Sequence, residues 1–162
     1  MPAPAPHDPR DSAVQHELIG RCLELADEAA AGGDVPVGAV VVSGDGEIIG
    51  TGHNTREADA DPVGHAEILA LREAARHRGS WRLQDCTLAV TLEPCPMCAG
   101  AIVLARIRHV IFGAWDEKAG AAGSVLEILR EPRLNHWVQV HPGVREADCS
   151  AQLSRFFAQR LR

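Results

Sequence analysis

The sequence lacks any apolar run near the ~20 residues that cross a bilayer, so no membrane-spanning helix is expected. It also lacks an export signature. Its first eleven residues, MPAPAPHDPRD, carry four prolines and no apolar stretch, and read as a disordered leader ahead of one globular domain over 12–162. A chain without an export signal is expected in the reducing cytoplasm. There its five cysteines, an odd number, read as thiols or metal ligands rather than disulfides. Internal repeats and low-complexity tracts are absent as well. The formal net charge of −6 excludes a protein that coats nucleic acid through bulk charge.

Lysine is nearly missing: Lys118 stands alone among 16 basic residues, the rest being arginine. Residues 1–103 hold 7 basic and 16 acidic side chains, whereas 104–162 hold 9 basic and 6 acidic, so a polyanion should meet the C-terminal third.

Hydrophobic spacing outlines the elements. From Ser12, read as an N-cap, Val14, Leu18, Cys22, Leu25 and Ala29 form an amphipathic helix that ends at Gly32-Gly33. Runs 38–43 and 47–52 flank Gly44-Asp45-Gly46 as an antiparallel hairpin. A second helix is expected over 65–78, a strand over 87–91, a third helix over 96–105 and a strand over 109–112. A glycine-rich loop over 113–123 follows. Ser124 then reads as the cap of a short helix to Leu129, followed by a strand over 137–141 and a last helix over 147–160. This order predicts an α/β domain with a mixed sheet covered on both faces, its ligands at the carboxyl ends of the strands.

Cys95-Pro-Met-Cys98 is compatible with a redox dithiol, half of a structural zinc knuckle, or part of a catalytic metal site. A structural knuckle needs a second pair, and Cys22, Cys86 and Cys149 are isolated. Pro94, Pro96 and Glu93 have no evident role in disulfide exchange. His65-Ala66-Glu67 opens the second helix as Cys95 opens the third, and helix N-termini favour anionic thiolates. Three ligands, His65, Cys95 and Cys98, would leave a tetrahedral zinc one position for water, the pattern of a catalytic site. On a regular helix Glu67 would point about 200° from His65, away from the metal. At the helix start it can face the bound water instead and act as general base and acid.

His-Ala-Glu followed by Pro-Cys-x-x-Cys, with 27 residues between Glu67 and Cys95, resembles the signature of the zinc-dependent nucleobase deaminases. The segments Asp34 to Ala39, Asp61-Pro62, Thr91 to Cys95, Met97 to Ala101, Phe112 to Ala114, Ala119 to Ser124, Leu134 to His136 and Phe156-Phe157 resemble the bacterial tRNA-specific adenosine deaminases in particular. The resemblance implies a three-layer α-β-α, cytidine-deaminase-like fold around a five-stranded mixed sheet, one zinc per subunit, and a homodimer. It implies conversion of wobble adenosine to inosine in a tRNA anticodon stem-loop, with Glu67 catalytic. Asn54 would bond the flipped base, Asp116 and Lys118 the ribose or phosphate, Arg155 and Arg160 phosphates, and Phe157 a base. Gly64 and Ala89 depart from the pattern, standing where relatives often carry alanine and tyrosine. Three other readings stay open: a deaminase of guanine, cytosine or free nucleosides, a noncatalytic zinc scaffold, and a redox dithiol.

Overall fold

The computed structural model describes residues 7–161. Its elements are α1 (Ser12–Ala31), β1 (Gly38–Val42), β2 (Ile48–His53), α2 (Ala66–Arg78), β3 (Thr87–Leu92), α3 (Pro96–Leu104), β4 (His109–Ala114), β5 (Gln139–His141) and α4 (Glu146–Arg160). Of the leader expected over 1–11, residues 1–6 lie outside the described residues. The remainder includes a turn in which Asp8 pairs with Arg10. Asp11, not Ser12, caps α1. Its carboxylate accepts the Ala13 N–H at 2.8 Å, and Ser12 is already helical.

The five strands run in the order β2-β1-β3-β4-β5. β1 is antiparallel to β2 and β3, while β3, β4 and β5 are parallel to one another. Helices cover both faces. Val40, Val42, Ala89 and Ile111 pack with Ile19, Cys22 and Leu25 of α1 and Cys149 of α4. The alternate residues Val41, Leu88, Val90, Val110 and Phe112 pack with Ala70 and Leu71 of α2 and Ile102 of α3. Burial on both sides explains why these strands read as continuous apolar runs rather than as an alternating pattern.

α2 lies unusually close to β2. Gly50 and Gly52 face the small residues Ala66, Ala70 and Ala74, and a Cβ on Gly52 would fall inside contact distance of the Ala66 carbonyl. This approach fixes the height of the α2 N-terminus above the sheet.

Two further expectations fail. No helix follows Ser124: among the described residues there are four helices rather than five, and 120–129 is a loop with one bridge, Ala122 to Glu127. Its hydrogen bonds run elsewhere: the Ser124 N–H goes to the Glu93 carboxylate, and the Ile128 N–H, which a helix capped by Ser124 would direct to the Ser124 carbonyl, goes to the Ala121 carbonyl at 2.9 Å. Gly113 and Ala114, expected in a loop, extend β4, which pairs with β3 as far as Leu92. No helix among the described residues is long and apolar enough to cross a membrane.

Gly52→Ala should lower stability by about 1–3 kcal/mol through overpacking against α2. Urea denaturation measures this, and an unchanged midpoint would show that α2 does not need the close approach. A second prediction concerns the β4–β5 seam, where buried His109 bonds His141, Nδ1 to Nε2, at 3.0 Å. Burial, with His141 and Arg108 adding to it, takes His109 from the ordinary 6.5 down to about 4, against the opposite pull of Asp8. Burial also lowers His141. Because the folded value is depressed, this contribution is complete above pH 6.5 and is lost as pH falls toward about 4. Stability should therefore drop between about pH 7 and about pH 5, and His109→Gln should reduce that drop. An identical pH dependence in the variant would contradict the assignment.

Candidate active site

β3 leads through Glu93-Pro94-Cys95 into α3, and the loop after β2 leads into α2, so two helix N-termini meet beyond the carboxyl end of the parallel strands. His65 and Cys95 occupy the N-cap positions with extended backbones (φ −86°, ψ 147° and φ −73°, ψ 172°). Pro96 at the first position of α3 has no N–H to leave unpaired there. Neither cap residue uses its side chain to cap its helix, which leaves both free to face each other.

His65 Nδ1 lies 3.6 Å from Cys95 Sγ and 3.5 Å from Cys98 Sγ, and the three donor atoms fall within 4.8 Å of one another. Tetrahedral zinc, about 2.3 Å from sulfur and about 2.0–2.1 Å from nitrogen, requires N···S edges of about 3.5–3.6 Å. The donor set fits that ion. The hydrogen bond with Cys98, reinforced by His65, lowers the Cys95 thiol to about 4, while the same contact and burial raise Cys98. His65 is raised, chiefly by its bond to Cys95.

Glu67 is 4% exposed and lines the same cavity as His65 and Cys95. The 200° separation of a regular helix does not apply, because His65 lies outside the helical turn and only Glu67 follows its rotation. Burial raises the Glu67 carboxyl to about 7, and a cation at the adjacent ligands would draw it down again. Buried Asn54 supplies the cap that His65 does not, accepting the Ala66 N–H through Oδ1 at 3.0 Å and leaving Nδ2 as its remaining donor group.

The cavity holds about 240 Å³, below the roughly 300–1,000 Å³ of sites for drug-sized ligands. That size suits a single base. Two carboxylates in its wall escaped the reading of the sequence. Asp34 accepts the N–H groups of Glu57 (2.8 Å) and Ala58 (3.1 Å). Glu93 accepts those of Asp116 (3.0 Å), Ala122 (2.9 Å) and Ser124 (3.2 Å). Both lie within the motif segments, but only the fold shows which amides they hold.

Of the proposed substrate contacts, Asn54, Asp116 and Arg160 line the cavity. Asp116 turns its carboxylate onto the N–H groups of Lys118 and Ala119. Lys118 and Phe157, the latter 48% exposed, line an adjoining groove with Trp115 and Asp116, whereas Phe156 is buried. The Arg160 guanidinium lies 4.6 Å over the Phe156 ring and donates to the Gly33 carbonyl. Arg155 is exposed and lines neither space. Of the two departures, Gly64 packs against Thr55 and Asp61, and Ala89 is buried beneath α1, where its carbonyl accepts the Cys22 thiol.

Residues 12–114 match the family described as the cytidine and deoxycytidylate deaminase zinc-binding region. The chain belongs to that family. This deaminase is 51% identical over 145 residues to the tRNA-specific adenosine deaminase of Streptococcus pyogenes serotype M18, covering 90% of this chain and 91% of the relative. Among solved structures it is similar to one from a study of A-to-I editing by tRNA:A34 deaminases at the wobble position of transfer RNA. That similarity has a TM-score of 0.80 at 38% identity and covers 84% of this chain and 98% of the other. It is also similar to a guanine deaminase from Bacillus subtilis, with a TM-score of 0.60 at 35% identity over 90% of this chain and 93% of the other. The fold therefore serves more than one base.

The purified deaminase should carry stoichiometric zinc, and Cys98→Ala should lose it. Elemental analysis of both proteins measures this; undiminished zinc in the variant would place the ion elsewhere.

Proposed function

We propose that this deaminase hydrolyses adenosine to inosine at the wobble position of a tRNA anticodon, with release of ammonia. The observation that carries the reading is the 51% identity, over nine-tenths of both chains, to a tRNA-specific adenosine deaminase. The single-base volume of the cavity agrees with it, since an anticodon loop can present an unstacked base at less cost than a duplex.

In this reading His65, Cys95 and Cys98 hold zinc. When bound, the ion lowers the pKa of a coordinated water toward about 7 and so supplies the nucleophile at neutral pH. Glu67 takes one proton from the water and delivers it to the ring nitrogen beside the reacting carbon, then takes the second from the hydroxyl now on that carbon and passes it to the departing amine. A carbon–oxygen bond forms and the carbon–nitrogen bond breaks. Asn54 Nδ2 donates to an acceptor nitrogen of the purine, because Oδ1 is committed to Ala66. Asp116 accepts from a ribose hydroxyl, Lys118, Arg155 and Arg160 meet phosphates, and Phe157 offers a stacking face in the adjoining groove.

The enzyme acts as a cytoplasmic homodimer in this reading. α3 leaves Met97 and Gly100 half-buried and Leu104 69% exposed at helical spacing. An apolar face of that kind suits a second copy.

A wobble-adenosine anticodon stem-loop should be deaminated far faster than free adenosine, and Glu67→Ala should keep its zinc while losing about 10²- to 10⁴-fold in rate. Equal rates on the two substrates would reject the tRNA reading. Full activity in Glu67→Ala would reject the proton shuttle, and zinc-loaded wild-type protein that turns over neither substrate would point to a noncatalytic zinc scaffold.

A further inference from the structure

Glu93 is 1% exposed, and each of its carboxylate oxygens is engaged. Oε1 accepts the Asp116 N–H, and Oε2 those of Ala122 and Ser124. These three amides lie near the two ends of one segment, 116–124, which therefore wraps a single charged group. Ser124 Oγ closes the segment by donating to the Asp116 carbonyl at 2.8 Å, and the Ala121 N–H bonds the Pro94 carbonyl at 2.8 Å. Gly120 passes so close to the carboxylate that a Cβ there would collide with Glu93 and with the Ser124 hydroxyl. The segment contributes Asp116 and Ala119 to the cavity wall and carries Lys118 in the adjoining groove.

A glycine- and alanine-rich loop has a large conformational entropy to lose and few side chains with which to offset it. Hydrogen bonds to a buried charge are stronger than those between neutral groups, and three of them on one carboxylate hold such a loop in one shape. The opposite lip has its own brace, Asp34 on the amides of Glu57 and Ala58, so the two sides of the cavity are held independently.

We infer that Glu93 is a positioning residue: it holds 116–124 against the cavity and thereby sets the enzyme's preference for a base carried on a polynucleotide over a free nucleoside. The selectivity half of this rests on the tRNA reading above; the brace itself does not. Free adenosine meets the cavity floor, His65, Glu67 and Asn54, and of the braced lip only Asp116 at its ribose, whereas an RNA strand must also meet Lys118 and the adjoining groove.

The test uses the full-length zinc-loaded protein with Glu93→Gln, which keeps the shape but turns a donor toward the amides, and with Ser124→Ala, which loosens the same loop without touching the segment that leads to Cys95. In Glu93→Gln the amides of Asp116, Ala122 and Ser124 should exchange hydrogen at least about tenfold faster, while those of Glu57 and Ala58 stay unchanged and zinc content holds. KM for an anticodon stem-loop should rise about tenfold with kcat within about threefold of wild type, and the rate on free adenosine should fall by less than kcat/KM on the stem-loop. Ser124→Ala should move the same quantities in the same direction by less. Unchanged exchange at the three amides would overturn the brace. A fall in kcat with loss of zinc and an unaltered KM would place Glu93 in the metal site instead. Wild-type protein inactive on the stem-loop would reject the tRNA reading and the selectivity role together, and the exchange comparison would still decide the brace.

Discussion

Everything chemical in this molecule depends on two helices starting within reach of each other above the end of β3. The reach is short: an imidazole and two thiols with N···S separations of 3.5 and 3.6 Å. Side chains of this length cannot compensate for a misplaced helix, so backbone packing has to set the distance. On one side Gly50 and Gly52 let the alanine stripe of α2 settle onto β2. On the other, Pro94-Cys95-Pro96 turns β3 directly into α3 without spare residues. A helix held by small residues on a glycine-bearing strand has little freedom to ride up or slide, because interiors are packed densely and yield little.

The same convergence explains how the polar groups are shared. Side chains at helix starts ordinarily cap their own helix. His65 and Cys95 do not, and their duty passes to neighbours: Asn54 takes the first amide of α2, and Pro96 removes one donor from α3. Glu67 is buried among these groups with its carboxyl raised by desolvation. Further out, Asp34 and Glu93 take up loop amides, so the cavity has a floor made by helix starts and two lips each gathered around a carboxylate. A negative chain can accept a polyanion on these terms, since the acidic side chains closest to the cavity are largely spent on the protein's own N–H groups.

Most of the fold was legible because its signals are local. Periodic apolar residues marked α1, α2 and α4, and the glycine turn marked the β1–β2 hairpin. The site was legible because its ligand types fall in short, recognisable spacings at helix starts. What was not legible depends on partners distant in sequence. The segment after Ser124 has an adequate helical start, but the amide of Ser124 itself goes to Glu93, 31 residues earlier, and the Ile128 N–H turns back to the Ala121 carbonyl. Glu93 and Asp34 look like ordinary acids until the backbone of a remote loop is brought to them. A helical wheel with His65 inside the helix sends Glu67 about 200° away; the extended backbone of His65 instead lets both line one cavity, as expected for a carboxylate at the helix start.

The central claim is that the floor formed by His65, Cys95, Cys98, Glu67 and Asn54 deaminates one adenosine presented by an anticodon. Mass analysis of the anticodon loop after incubating unmodified tRNA with the purified protein tests it most directly. The account predicts inosine at the wobble position alone, with adenosines in stems and in other loops unchanged. Wobble adenosine left intact by zinc-loaded protein, or conversion scattered over many adenosines, would contradict it.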